Sequence, residues 1–187
     1  MLSIAPAQKP DTAGDPVFSA AFYAPYESAA CFGLEILSDA RAYMPLDVLT
    51  LQYRIKSGES IRGKLQRKQL PETAAAAGAA LRDIAGLRAV LSSRKAVYRY
   101  ADLLMQNKNL QLEDIHDYIA MPKPSGYRSL HLIARVPVLI SHAAYVVPIE
   151  IQLRTAAMDA WACAEHALIY KPAGSQWPRQ LGSSITK

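Results

Sequence analysis

The sequence predicts an α/β (α+β) domain, a mixed β-sheet flanked by helices, and three observations carry that expectation. RSLHLIARV (128–136) and VPIEIQLRT (147–155) alternate apolar and polar residues with the period of two that a strand imposes. Helical patterns are interleaved with the strand patterns instead of following them in one block. Of the 187 residues, 51% are hydrophobic, enough for a sizeable core in one compact domain.

The elements follow in order. Residues 1–16, MLSIAPAQKPDTAGDP, are rich in Pro, Ala and Gly and are expected as a flexible tail. They lack a basic start followed by an apolar run, so no secretory leader is expected. Residues 17–45 are an N-terminal helical region: Val17 to Tyr43 is helical, with Phe18, Phe22, Leu34 and Leu37 available for packing, and Pro45 ends it. VLTLQYRI (48–55) alternates as a strand. SGESIRGKLQRK (57–68) reads as a helix capped by Ser57 or Ser60, with Glu59 at its positive end. The Ala-rich piece 73–82 continues as helix, LRAVL is a short strand, and KAVYRYADLLMQ (95–106) is an amphipathic helix. LQLEDIHDYI (110–119) reads as a strand. AAMDAWACAEHALIYK (156–171) is a helix with Met158, Trp161, Ala164 and Leu168 at packing positions, and 172–187 is a C-terminal tail.

The two alternating strands carry the functional signal. Leu130, Leu132, Ala134 and Val136 share one face, with Ser129, His131 and Ile133 opposite; Ile149, Ile151 and Leu153 oppose Glu150, Gln152 and Arg154. If these strands are antiparallel neighbours on one core, His131, Glu150 and Gln152 share a polar face.

Composition narrows the partners. The net charge of +5 and pI near 9.2 favour polyanions such as nucleotides, nucleic acid or acidic surfaces. Cys31 and Cys163 are the only cysteines; they suggest neither a disulfide framework nor a zinc site and fit a reducing cytosol. No apolar run approaches the roughly 20 residues that span a bilayer. RIKSGESIRGKLQRK gathers Arg54, Lys56, Lys64, Arg67 and Lys68 around a strand-to-helix junction, where phosphates bind well. The same cations would also make an ordinary solvated helix face. Asp83 precedes one apolar strand and Glu150 lies inside another; either alone is satisfied by facing solvent. Together on one sheet face they would hold Mg²⁺ when nucleotide phosphates complete its shell. Cations plus acids suggest phosphoryl or pyrophosphoryl transfer. There is no G-x-x-x-x-G-K-[ST] loop and no kinase Gly-rich loop, which disfavours the common ATPase and kinase folds.

The ordered set YRIKSGESIRGKLQRK, DIAGLR, DYIAMPKPSGYRSLH, EIQLRT and AWACAEHALIYK resembles the RelA/SpoT-type synthetase domain, from about Leu46 to Lys171, and is most similar to the small, single-domain alarmone synthetases. The resemblance implies a nucleotidyltransferase-like synthetase fold over 46–171. It implies an Mg²⁺-dependent GTP/GDP diphosphokinase that moves the β,γ-pyrophosphate of ATP to the ribose 3′-hydroxyl of GDP or GTP, giving (p)ppGpp and AMP in the cytoplasm. Arg54 and Arg88 would sandwich adenine, and Lys56, Ser60, Lys64 and Arg67 would hold the ATP phosphates. Asp83 and Glu150 would bind Mg²⁺, with Glu150 accepting the 3′-hydroxyl proton. Tyr127 would stack on the acceptor base; Lys123 and His131 would contact acceptor phosphates; Gln152, Asp159 and Glu165 would line the acceptor pocket. Arg154 is balanced between a structural and a substrate-binding role. A Glu165 carboxylate can accept from guanine N1–H and N2–H₂, whereas adenine would leave it unpaired at about 1–3 kcal/mol.

Where some relatives carry Asn, this chain has Asp159, which when ionised cannot donate to guanine O6. Some relatives are tetramers activated by product; residues 17–49 hold Arg41 as their only cation, so little activation by pppGpp is expected, and a homo-oligomer is open. The one His-Asp dipeptide, His116–Asp117, has no partner histidines placed to help it, so a synthetase-only chain is expected. The alternatives are a toxin-type relative that pyrophosphorylates the tRNA 3′ end or makes adenosine alarmones, with an antitoxin partner, and an inactive nucleotide- or RNA-binding regulatory domain.

Overall fold

The computed structural model describes residues 3–4 and 15–169; for 3–4 and 166–169 it describes the backbone alone. Tyr170, Lys171 and the expected tail 172–187 lie outside the described residues, as does most of the expected tail 1–16. The elements are β1 (Ser3–Ile4), α1 (Ala20–Ala42), β2 (Val48–Ile55), α2 (Gly58–Arg67), α3 (Ala74–Ala80), β3 (Ala85–Leu91), α4 (Arg94–Met105), β4 (Gln111–Asp117), β5 (Leu130–Ile140), β6 (Ala143–Thr155) and α5 (Ala156–Ile169). Each expected helix and strand between Val17 and Ile169 is present. The sheet is mixed, as expected, in the order β1-β2-β3-β6-β5-β4. β1 runs parallel to β2 and β3 parallel to β6; the other three pairings are antiparallel.

The core lies between one face of this sheet and α1 with α4. Leu87, Ala89 and Leu91 of β3, Ile149, Ile151 and Leu153 of β6, and Leu130, Leu132, Ala134 and Val136 of β5 all point into it and are buried. α1 answers with Tyr23, Tyr26, Ala29, Ala30, Ile36, Leu37 and Ala40, spaced at three and four residues, so one stripe of the helix faces the sheet. Gly33 permits its close approach: a Cβ there would stand 3.0 Å from Leu87 Cδ2 and 3.2 Å from Ile149 Cδ1. α4 buries Ala96, Val97, Tyr100, Ala101 and Leu104 and is tied to α1 by a hydrogen bond from Tyr100 Oη to the Leu37 carbonyl.

Serine and threonine caps set three helix starts. Ser57, Ser93 and Thr73 accept from the backbone N–H three residues on, at 3.3, 3.2 and 3.2 Å. Ser57, not Ser60, is therefore the α2 cap. Before α1, Asp15 accepts from the N–H groups of Val17 and Phe18 and from Arg62 Nη2 at 2.7 Å.

α5 departs from its expected packing. Met158 and Ala162 are its buried positions; Trp161 is 39% exposed and Ala164 is exposed. Among the described residues the helix packs mainly on β6 and β3, on the face away from α1, so a narrow stripe is covered. Trp161 instead packs on the turn before β5: a Cβ on Gly126 would stand 3.4 Å from its ring. β4, at the sheet edge, has Gln111 to His116 all exposed, so its apolar residues face solvent.

Candidate active site: a cleft on the polar face of the sheet

Strand alternation that sends the aliphatic residues of β3, β5 and β6 into the core sends their partners to the opposite face. β5 and β6 are antiparallel neighbours, with His131 opposite Gln152 and Ile133 opposite Glu150; β3 lies parallel on the other side of β6, with Gly86 beside Glu150 and Arg88 beside Gln152. A cleft of about 1160 Å³ opens on this face. Of the residues expected at the site, Arg54, Lys64, Asp83, Arg88, Lys123, Tyr127, His131, Glu150, Gln152 and Glu165 line it. Lys56 and Asp159 stand behind the lining, each bonded to a residue of it. Ser60 and Arg67 lie on α2 outside the lining.

At one end, the loop before β3 brings Asp83 to two lysines. Asp83 Oδ2 accepts from Lys56 Nζ at 2.5 Å and Lys64 Nζ at 2.7 Å. Lys56 is held there because its N–H continues the β2–β3 pairing onto the Ile84 carbonyl, and Lys64 is presented by α2. Burial works against the Asp83 charge, but the two ammonium groups outweigh it and hold the carboxyl below its usual range. Burial pulls the Lys56 ammonium below its usual range despite Asp83. Asp83 Oδ1 is buried and has no hydrogen-bond partner among the described residues. A buried orphan acceptor is costly unless something fills its place.

At the centre, Glu150 has both oxygens occupied. His131 Nδ1 lies 3.0 Å from Oε1, and Gln152 Nε2 donates to Oε2 at 2.8 Å. Burial raises its pKa, yet the hydrogen bonds from His131 and Gln152 outweigh it and carry it below the usual value. Among the described residues no group of three or more His, Cys, Asp or Glu side chains is arranged to hold a metal. Two acids with one free buried oxygen fit a hard cation only when another molecule supplies further oxygens.

At the far end, the turn KPSG leads into β5. Gly126 takes φ +85°, a conformation that costs other residues energy, and its N–H bonds the Lys123 carbonyl at 2.8 Å. Tyr127 follows with its Oη 2.9 Å from His131 Nε2. Tyr118, which the sequence did not single out, stands edge-on to Tyr127 and His131, with ring centroids 6.1 and 5.1 Å away. Lys123 Nζ sits over both tyrosines, at 4.5 and 5.1 Å. His116 also lines the cleft, through the edge strand, although the sequence assigned it nothing. Tyr118 lies just past the end of β4, where alternation no longer says which way a side chain points; no pattern in the sequence marked it.

Asp159 is committed to arginines. Its Oδ1 accepts from Arg154 Nη1 at 3.0 Å and from Arg88 Nη1 at 3.2 Å.

A family model described as a region found in RelA / SpoT proteins matches residues 53–175. Two Bacillus subtilis proteins are similar in sequence: the GTP pyrophosphokinase YwaC, 43% identical over 132 residues, and the GTP pyrophosphokinase YjbM, 36% identical over 137. Each alignment takes in 71% of this chain, which spans 62% and 61% of those relatives' lengths. Among solved structures, the small alarmone synthetase 1 of B. subtilis bound to its product pppGpp superposes with a TM-score of 0.75 at 34% identity, covering 83% of this chain and 81% of that one. A GTP pyrophosphokinase family protein of Streptococcus pneumoniae also gives 0.75, at 32% identity, covering 80% and 75%.

Proposed function

The chain belongs to the RelA/SpoT family, and on that premise we propose that it is a GTP/GDP pyrophosphokinase, moving the β,γ-pyrophosphate of ATP to the ribose 3′-hydroxyl of GDP or GTP. The observation that carries this reading is the line of charge along one cleft: cations with Asp83 at one end, Glu150 at the centre, an aromatic platform at the other. Pyrophosphoryl transfer asks a protein for positioning and charge neutralisation more than for covalent chemistry.

Arg54 and Arg88 bring planar guanidiniums to the donor base, a geometry lysine cannot offer. Lys64 faces the donor phosphates, with Lys56 behind it on the shared Asp83; Ser60 and Arg67 lie on α2 outside the cleft lining. Mg²⁺ suits Asp83 Oδ1, the buried oxygen without a partner, together with Glu150; when bound it supplies charge neutralisation of the phosphates. Glu150, held ionised by His131 and Gln152, accepts the proton of the attacking 3′-hydroxyl. Tyr127 offers its ring face to the acceptor base, Lys123 stands above that ring for acceptor phosphate, and Glu165, in the cleft lining, brings a carboxylate that can accept from guanine N1–H and N2–H₂. Asp159, shared by two arginines, supports the pocket wall in this reading.

No described helix is long and apolar enough to cross a membrane, and Cys31 and Cys163 are free thiols. With ATP and GTP as substrates, these support a cytoplasmic setting. Incubation with labelled ATP, Mg²⁺ and a panel of GMP, GDP, GTP, ADP, ATP and tRNA tests the assignment. AMP and a 3′-pyrophosphorylated guanine nucleotide are expected. Transfer to tRNA or adenine nucleotides alone would replace the acceptor, and no transfer to any acceptor would refute the reaction.

A further inference from the structure

Arg154 lies at the end of β6, is only 4% exposed, and has no part in the chemistry above, yet its guanidinium bonds three side chains at the site. Nη2 donates to Tyr127 Oη at 2.6 Å and to Gln152 Oε1 at 2.8 Å, while Nη1 donates to Asp159 at 3.0 Å. A guanidinium has hydrogens to give and nothing to accept with. With a neutral imidazole at His131, that sets the direction of each bond beyond it. Tyr127 Oη, accepting from Arg154, turns its own hydrogen to His131 Nε2. His131 Nδ1 faces a carboxylate oxygen, which only accepts, so the ring hydrogen sits on Nδ1 and the lone pair on Nε2. On the second arm, Gln152 gives its carbonyl to Arg154, which leaves its NH₂ for Glu150 Oε2. Two arms that start at one nitrogen therefore close on the two oxygens of one carboxylate. Asp159 extends the same guanidinium to Arg88.

We propose that Arg154 is a positioning residue for pyrophosphate transfer: it directs a closed ring of hydrogen bonds that orients Glu150 through Tyr127–His131 and through Gln152, and steadies the Tyr127 platform. The proposal rests on the pyrophosphokinase reading. A lysine at 154 keeps the charge but is a point donor and cannot serve both arms in the same plane.

The test pairs kinetics with a measurement that needs no turnover. Steady-state rates of the wild type, Arg154→Lys, Tyr127→Phe and the double variant form a cycle. Expected is a fall in kcat of about 100-fold for Arg154→Lys, with KM for ATP within about twofold. The double variant should be no slower than the slower single one, because both cut the same arm. Multiplying losses, or a loss confined to KM, would overturn the proposal. Should Arg154→Lys fail to fold, Tyr127→Phe and Gln152→Met cut the two arms and the same cycle applies: since both arms serve one carboxylate, the losses must not multiply. Nitrogen-15 NMR of His131 in the substrate-free wild type should show the hydrogen on Nδ1; hydrogen on Nε2 would overturn the ring outright. Hydrogen on Nδ1 in a protein that transfers no pyrophosphate would refute the functional reading while upholding the ring.

Discussion

Two nearly buried carboxylates stand along the cleft, Asp83 at one end with its side chain 15% exposed and Glu150 at the centre with its side chain 16% exposed, and they are neutralised by different means. Asp83 is held by charge: two ammonium groups share one oxygen and leave the other unpartnered. Glu150 is held by direction, with one oxygen bonded by His131 of the adjacent strand β5 and the other by Gln152 two residues along its own strand, and both of those orientations trace back to Arg154. Lysine on a flexible stem tolerates small displacements. An imidazole and an amide at a fixed strand register do not. The Asp83 end is thus built to meet a variable load of charge, and the Glu150 centre to keep one geometry.

Three measurements would break or sharpen that contrast. The largest effect is expected at Glu150→Gln. Its new NH₂ faces either His131 Nδ1–H or the Gln152 NH₂, so a donor meets a donor in one arm, and the proposed proton acceptor is lost. Turnover should fall by about 10²- to 10⁴-fold, and the misplaced donor should cost the fold about 1–3 kcal/mol; retained turnover would remove Glu150 from its proposed role. Asp83→Asn comes next. It should also stop efficient transfer, and in addition it strips Lys56 and Lys64 of their counter-charge, a cost to folding of about 1–3 kcal/mol. A variant that folds as stably as the wild type would mean that charge does not hold this end together, and the contrast with Glu150 would collapse.

The smallest effect is in the pH dependence of stability. Asp83 is held below its ordinary 3.8 and Glu150 below its ordinary 4.5, so each is ionised in the folded chain at pH values where the unfolded chain already binds the proton. Their contribution is complete above the ordinary carboxylate range and is lost as pH falls through the lower folded values. The melting temperatures of wild type and Asp83→Asn should therefore converge on acidification from pH 7 to below 3.8, the gap closing from the neutral side. A gap that widens in acid would reverse the assigned direction.

Much of the fold was legible because strand alternation is a local property. Leu130, Leu132 and Val136 against His131, and Ile149, Ile151 and Leu153 against Glu150 and Gln152, read correctly as a core face and a polar face. The same alternation placed Arg154 on that polar face beside Glu150 and Gln152, but it gave no means of choosing between structure and substrate. Ser57 as a cap and Gly126 as a turn residue were likewise readable, from the chemistry of single residues. α5 was not: Trp161 and Ala164 match a helical stripe, but which stripe is covered depends on the neighbours, and among the described residues β6 and β3 are the main ones to cover it.

By itself, the sequence determined which residues alternate, which can cap, and which carry charge, since these depend on neighbours a few positions away. Only the tertiary structure decided that Arg154 reaches Tyr127 across 27 residues, that Asp159 serves two arginines, and that Asp83 gathers lysines from a strand end and a helix. A hydrogen bond has a direction and a length, and both are set by how distant strands come into register; residue types list the possible donors and acceptors without saying which of them meet.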